Sequence, residues 1–321
     1  MLSSNRAKED KTMHQPLISV IMPTFNCLDY LPYAVASVFE QEIEDIELLI
    51  ADDGSTDDTW NWLQAQASKN NRIKPIKTKG VGPAKARNFC LSQAKGEYIG
   101  FLDSDDKWRQ NKLKKQIDFL EKHPNVVFSF TDYWHWSVEG NDLGGCFEYW
   151  PFFNQIRKKD NEYHVLVEAL GVLYAENVVG TSTVVVRQDA MQIANGFDSE
   201  LLSASDWEMW LRLARQGDVA YSSQVGMDYL QHRPGSMTKK TQNRIDAMVS
   251  IGAKFNTDVV KLNKKYINIA AANISNARAE QAASSGKHYR ALTMHLHAAC
   301  KYPHWKAFRA VGSDFKNMIC Q

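Results

Sequence analysis

Cysteine is scarce in this 321-residue chain. The five residues (Cys27, Cys90, Cys146, Cys300 and Cys320) are scattered, odd in number, and form no C-x-x-C pair. That argues against a disulfide framework or a zinc site and fits a reducing cytoplasm. Long apolar runs are missing too. None approaches the roughly 20 residues that a helix needs to span a bilayer. Met1 to Gln15 is polar and lacks the apolar core of a secretory signal, so residues 1–15 are expected to be a flexible tail. Overall charge is nearly absent: 38 Lys and Arg stand against 37 Asp and Glu, a net of +1. No nucleic-acid partner is expected.

The near-zero total hides an asymmetry. From Ser236 onward 14 Lys and Arg face 4 Asp and Glu, a net of +10, whereas residues 1–235 carry 24 against 33, a net of −9. An acidic body and a basic tail with a different partner are the natural reading. The length allows a full catalytic domain plus an appendage.

Along residues 16–130, strand-like and helix-like runs alternate. Leu17–Met22, Ile46–Ala51, Ile73–Lys77, Tyr98–Leu102 and Val126–Phe130 read as strands. Tyr30–Phe39, Asp57–Ala67, Ala84–Ala94 and Arg109–Lys122 read as helices between them. This alternation predicts right-handed crossovers and a doubly wound, mostly parallel sheet with helices on both faces. In such sheets ligands bind beyond the carboxyl ends of the strands. Three strand ends carry unusual polar sequences: Pro23-Thr24-Phe25-Asn26, Asp52-Asp53-Gly54-Ser55 and Asp103-Ser104-Asp105-Asp106. Topology brings all three to one edge.

Further on, Tyr163–Ala175 reads as a helix, Thr183–Arg187 as a strand and Asp206–Arg215 as an amphipathic helix. Val219–Ser222 and Met227–Gln231 read as short closing strands. Beyond Ser236 the chain is Ala-rich and helical over Ile245–Leu262, Tyr266–Ala283 and Lys287–Lys301, with Gly286 and Pro303 as punctuation. The aromatic cluster between Trp134 and Phe153 is expected to be core, with one or two rings left for a ligand.

The third strand end concentrates charge. Asp103, Asp105 and Asp106 fall within four residues, and like charges that close raise each other's pKa. A divalent cation relieves the repulsion, and carboxylate oxygens suit magnesium or manganese. The simpler alternative is a polar turn in which an aspartate caps the next helix. The convergence of three polar strand ends favours the metal for Asp103 and Asp105, with Asp106 left as the cap.

Taken in order, five stretches resemble the family-2 glycosyltransferases of GT-A fold. They are Ile18–Asn26, Asp52–Thr59, Ala86-Arg87-Asn88, Gly96–Asp106, and Gly196-Phe197-Asp198 together with Ser205–Arg212. A lone D-x-D is weak, whereas the ordered set is specific. The resemblance covers roughly residues 16–235 and implies a nucleotide-binding half over 16–130, an acceptor half over 131–235 and a basic helical region over 236–321.

It also implies the chemistry: inverting, metal-dependent transfer of a sugar from a nucleotide diphosphate, with a UDP-sugar expected, to a glycan or lipid-linked hydroxyl in surface polysaccharide synthesis. By that carry-over Asp206 is the general base. Pro23, Thr24, Phe25, Asp53, Arg87 and Ser104 contact the nucleotide. Asp103, Asp105 and, after the last strand, His232 hold Mn2+ or Mg2+. Each has a simpler alternative. Ser205-Asp206-Trp207-Glu208 fits a capping box, Asp52-Asp53 fits an ordinary turn, Arg87 fits an exposed helix charge, and His232 fits an exposed loop histidine. The family often has Glu-Asp where this chain has Ser205-Asp206.

A sugar nucleotidyltransferase is disfavoured, because no Gly-rich basic loop follows the first strand. A non-catalytic nucleotide-sugar or glycan-binding module is disfavoured by the intact Asp103, Asp105 and Asp206. The helix expected at Trp305–Phe315 sets Trp305, Phe308 and Val311 among Lys306, Arg309 and Lys316, which suits an anionic membrane surface as well as it suits a packed terminal helix. A cytoplasmic protein, peripheral on the inner face of the membrane, is the resulting expectation. Nothing in the sequence bears on oligomeric state.

Overall fold

The computed structural model describes residues 15–231 and 241–319. His232 and all but Gln15 of the expected tail lie outside the described residues.

The sheet is built outward from β1 (Ile18–Thr24), which pairs in parallel with β2 (Ile46–Asp52) on one side and β4 (Tyr98–Phe101) on the other. All three are mostly apolar because both faces are covered. Side chains divide by parity. Ile21, Leu49, Ala51, Ile99 and Phe101 enter one core, while Ile18, Val20, Met22, Leu48, Ile50 and Tyr98 enter the other. β3 (Ile73–Lys77) extends this half in parallel beside β2. Gly96 precedes β4 because a Cβ there would lie 2.4 Å from the Ser19 amide nitrogen.

Beyond β4 the direction changes. β9 (Val185–Arg187) runs antiparallel to both β4 and β6 (Val126–Ser137). β6 pairs in parallel with β10 (Asp218–Gln231), which β5 (Lys107–Trp108) edges in antiparallel fashion. Two short strands, β7 (Asp142–Gly145) and β8 (Tyr163–Val165), pair with β6 and β10. The ten-stranded order is β3-β2-β1-β4-β9-β6-β10-β5 with β7 and β8 off the path.

On one face lie α1 (Leu31–Phe39), α2 (Thr59–Lys69) and α4 (Lys112–Lys122). On the other lie α3 (Pro83–Leu91), α7 (Ala169–Ala175), α8 (Gln188–Ala194) and α9 (Ser205–Leu213). Between β7 and β8 come two short helices, α5 (Cys146–Tyr149) and α6 (Pro151–Ile156). Here the phenylalanines of the aromatic cluster are core, while Trp134, Trp136 and Trp150 are half-buried. Phe147 and Phe153 are fully buried, 4.7 Å apart, and both pack on Tyr221. Tyr149 stays exposed.

Several local expectations need correction. The helix expected over Tyr163–Ala175 is strand β8 followed by α7. Glu168 breaks the run in the left-handed region at φ 52°, and its carboxylate accepts from Tyr266 Oη at 2.5 Å. The two expected closing strands are the one strand β10, bent by register shifts near Ser222 and Val225. Asp106 does not cap α4, which starts six residues later behind Asn111. Asp106 is buried and accepts from Ser182 Oγ. Ser205 does not form a capping box. Ala204 precedes the helix at φ 56°, and the buried Glu208 pairs instead with Arg212 and Lys254.

The C-terminal helices divide into two kinds. α10 (Thr241–Leu262) sends Ala247, Ile251, Phe255 and Val259, at four-residue spacing, into the same core as α7 and α9. α11 (Lys264–Ser284) adds Tyr266, Ile269 and Ala270. Gly171 on α7 permits this contact, because a Cβ there would lie 2.4 Å from the Tyr266 ring. α12 (His288–Lys301) forms a small alanine cluster with the end of α11, and α13 (Trp305–Ile319) follows it. No helix among the described residues is long and apolar enough to cross a membrane.

Because α10 packs into the same core as the sheet, Phe255→Ala should cost about 3–5 kcal/mol. Val249→Ala, on the exposed flank of the same helix, should stay within about 0.5 kcal/mol. Urea denaturation of the two variants checks the contrast.

Candidate active site

The register aligns the strand ends. Thr24 lies opposite Asp52, and Asp52 opposite Lys77, so the loops leaving β1, β2 and β3 start at one level. The first two are tied together. Asn26, at φ 44°, accepts the Thr56 amide at 2.8 Å, while its own amide donates to Ser55 Oγ at 2.9 Å. Asp52 Oδ1 accepts the Ser55 amide at 3.0 Å. Gly54 turns the chain at φ 82°, a left-handed position that favours glycine.

Asp53 is buried and heavily used. Its carboxylate accepts Thr78 Oγ1 at 2.6 Å and the amides of Val81 and Gly82 at 2.8 Å each. It therefore shapes the loop between β3 and α3, and a carboxylate with about four lone-pair sites keeps little beyond that. Thr24 and Ser104 are buried, whereas Phe25 stands 55% exposed at the cleft edge.

The acidic segment is a β-turn, closed by the Asp106 amide donating to the Asp103 carbonyl at 3.1 Å. Ser182 staples it from β9's side. The Asp103 amide donates to Ser182 Oγ at 3.0 Å, and that hydroxyl donates to Asp106 Oδ2 at 2.5 Å. Asp105 sits half-buried at the turn's tip. Beside it opens a cavity of about 210 Å³ lined by Tyr30, Tyr33, Trp136, Asp228 and Tyr229 among others.

Arg87 holds the middle. It projects from α3, is buried, pairs with Asp103 Oδ1 at 2.5 Å and lies over the Phe197 ring at 5.6 Å. Burial alone would lower its pKa. Asp103, and after it Asp206 and Asp105, more than offset this and raise it. One guanidinium thus faces three carboxylates from two distant chain segments. Arg87 is accordingly not the exposed helix charge that was its simpler alternative.

Asp206 opens α9, a helix fixed on every side. Trp207 Nε1 donates to the Leu173 carbonyl at 2.7 Å, Arg212 Nη2 donates to the Gly196 carbonyl at 2.8 Å, and Trp210 packs against Phe101 and Phe197. The half-buried Asp206 carboxylate accepts its neighbour's amide at 2.8 Å and Thr181 Oγ1 at 2.9 Å. Thr181 and Ser182 together link Asp206 to the acidic turn. Sequence reading passed over both. The only signal was a hydroxyl-rich Thr-Ser-Thr run just before an all-valine strand start.

Asn88 was legible only as a motif letter. Its Nδ2 donates to the Phe197 carbonyl and its Oδ1 accepts the Phe197 amide, both at 2.8 Å. This two-bond clamp sets the ring under Arg87.

Asp103 and Asp105 offer the hard oxygen donors that magnesium and manganese take. Among the described residues no three His, Cys, Asp or Glu gather into a ready cage. An ion that arrives on a diphosphate needs only one or two protein carboxylates, so this donor set fits one.

A parallel half, a mixed half and an acidic turn at their junction match the GT-A fold. S. aureus TarS (1–349) in complex with UDP-GlcNAc superposes with a TM-score of 0.61 at 20% identity, over 94% of this chain and 88% of that one. The mannosyltransferase PcManGT from Pyrobaculum calidifontis, in complex with GDP-Man and Mn2+, gives 0.59 at 16% identity over 95% and 86%. These likenesses concern the fold.

In sequence, residues 19–173 match the family described as glycosyl transferase family 2. TuaG of Bacillus subtilis, named for teichuronic acid biosynthesis, is 34% identical over 211 residues, 65% of this chain and 77% of that protein. The Escherichia coli protein named UDP-Glc:alpha-D-GlcNAc-diphosphoundecaprenol beta-1,3-glucosyltransferase WfaP is 30% identical over 258 residues, 78% of this chain and 93% of that one. The chain belongs to glycosyl transferase family 2 and is a glycosyltransferase.

Because Asn88 satisfies two buried backbone groups at once, Asn88→Ala should cost about 1–3 kcal/mol. A urea titration measures it, and a change below about 0.5 kcal/mol would mean that the clamp is not needed.

Proposed function

We propose that this enzyme moves a sugar, with inversion, from a UDP-sugar to a hydroxyl of a lipid-linked glycan during surface polysaccharide assembly. The observation that carries the reading is that the adjacent residues Thr181 and Ser182 hydrogen-bond Asp206 and the Asp103–Asp106 turn, with Arg87 paired to Asp103. A base for the acceptor and a charged turn for the leaving group must sit on opposite sides of the donor sugar, and these two come from opposite halves of the fold. The donor and acceptor classes follow the printed names of WfaP and of the TarS complexes.

In this reading the loops joined by Asn26 and Asp53 receive the uridine, with Pro23, Thr24 and Phe25 on one wall and Asp53 on the other. Arg87 and Ser104 lie toward the diphosphate. Asp103 and Asp105, joined by His232, would hold the divalent ion, which when bound stabilises the charge growing on the leaving diphosphate. Asp206 takes the proton of the acceptor hydroxyl as the new bond forms. Thr181 is a positioning residue: its hydroxyl fixes one carboxylate oxygen, so the lone pair needed for that proton is aimed rather than rotating. The wide, aromatic-lined cavity beside Asp105 offers stacking faces to a sugar.

The test is a transfer assay with UDP-glucose and UDP-GlcNAc on a diphosphoundecaprenyl-linked sugar, run with Mn2+ and with EDTA. The expected outcome is transfer of one of these sugars with Mn2+ and its loss in EDTA. Asp206→Asn should keep UDP-sugar affinity by calorimetry and lose about 10²–10⁴-fold in turnover. Full turnover by that variant would remove Asp206 from the role of base. Thr181→Val should lower turnover about tenfold or more, as expected for a lost hydrogen bond to a charged group, and Thr181→Ser should restore it. Equal loss in both would point to packing rather than the hydroxyl.

A further inference from the structure

Helix α13 is docked by the wrong face for an ordinary terminal helix. Among its described side chains the buried ones are Ala307 and Asp314, and Asp314 accepts from His295 Nδ1 of α12 at 2.6 Å. Lys306 reaches back to donate to the Tyr149 carbonyl at 2.6 Å. The large apolar side chains point the other way. Trp305 is 64% exposed, Phe308 61% and Phe315 58%. Spacings of three and seven residues set these rings on one stripe, with Gly312 between them. A packed terminal helix would bury that stripe and expose its polar side. This one spends its polar residues on docking and leaves its rings in solvent.

The charge beside the stripe has one sign. Arg309 and Lys316 each follow a stripe residue directly and are exposed. From His288 to Ile319 the chain holds five Lys and Arg and a single acid, and that acid is the buried Asp314. Arg290 and Lys301 on α12 are exposed as well. Rings on one arc with cations at its edge match an interfacial helix, whose rings enter the acyl boundary while cations meet anionic headgroups. A second copy meeting this face with its own α12–α13 would have to answer the cations with acids, and α12–α13 has no exposed acid to give.

We propose that the exposed stripe of α13 seats the enzyme on an anionic lipid bilayer. α10 and α11, built into the catalytic core, join that surface to the site, so a membrane-borne acceptor would be met at a set height. This deepens the lipid-linked acceptor reading and rests on it for its purpose, though not for its test, because vesicle binding needs no transfer.

The experiment is co-sedimentation of the full chain with vesicles of phosphatidylcholine alone and of phosphatidylcholine mixed equally with phosphatidylglycerol. Binding to the mixed vesicles, weakening as salt rises, is expected, with little binding to the neutral ones. The triple change Trp305→Ser, Phe308→Ser, Phe315→Ser should abolish it while leaving UDP affinity and circular dichroism unchanged. The pair Arg309→Gln, Lys316→Gln should weaken it about 30-fold. Failure of the wild-type chain to bind, or equal binding by the triple variant, overturns the proposal. So does a dimer in sedimentation equilibrium that the triple change dissolves, with no vesicle binding, since the stripe would then belong to a second copy. If vesicles bind and no UDP-sugar does, the membrane contact stands and the donor assignment falls.

Discussion

The site depends on one buried cation. Two unit charges 4 Å apart interact by roughly 4 kcal/mol in an effective dielectric of 20, so carboxylates gathered at one sheet edge need a counter-charge to persist between turnovers. Arg87 supplies it from α3, with its guanidinium paired to Asp103 and the charges of Asp206 and Asp105 both favouring it. An arginine suits the position better than a lysine would. Its planar fork can hold a carboxylate edge-on while its face lies on Phe197, and it stays charged when desolvated. Asp103 is a third exposed, so solvent screens part of this attraction. What the pair provides is placement of charge more than stability.

From that pair the rest of the architecture can be understood as support. Asn88, the next residue on α3, clamps Phe197 beneath the guanidinium. Phe197 leans edge-on against Phe101 at the end of β4 and against Trp210 of α9. The acidic turn, the arginine and the helix that carries Asp206 therefore share a single packed aromatic unit. The change of strand direction at β9 serves the same end. Because β9 runs antiparallel to β4, the residues that precede it arrive beside the residues that follow β4, and Ser182 and Thr181 lie between the turn and Asp206.

How much of this can be read from residues alone follows from the range of each interaction. The parallel half is legible because β1, β2 and β4 are buried on both faces and so are mostly apolar. Their ends are legible because polar residues replace that pattern abruptly. The mixed half is harder. β8 looks like helix because Tyr163, Leu166 and Leu170 fall at near-helical spacing, and the break comes from Glu168, which takes a left-handed conformation in order to reach Tyr266 98 residues away. Asp106 and Ser205 read as caps because capping is a local rule, whereas their neighbourhoods are set by Ser182 and by the Ala204 turn. Arg87 is visible as a motif residue, but its burial is not, since the carboxylates that compensate it lie 16 and 119 positions on.

The basic C-terminal region shows the same limit from the other side. Its charge separates it cleanly from the acidic body in sequence, yet packing divides it elsewhere. α10 and α11 belong to the catalytic core through Phe255 and Tyr266, whereas α12 and α13 add no buried residue to it and meet the body through Tyr302 and Lys306. Charge composition reports on the outer surface, whereas domain unity is decided by buried apolar area, and an Ala-rich helix can be core on one stripe and cationic on the other. The two signals agree only at α12–α13, where weak burial, exposed rings and charge of one sign coincide. There the His295–Asp314 pair decides which stripe of α13 faces inward. Ala307 is buried on that same inward stripe, and the rings of this helix lie on the other.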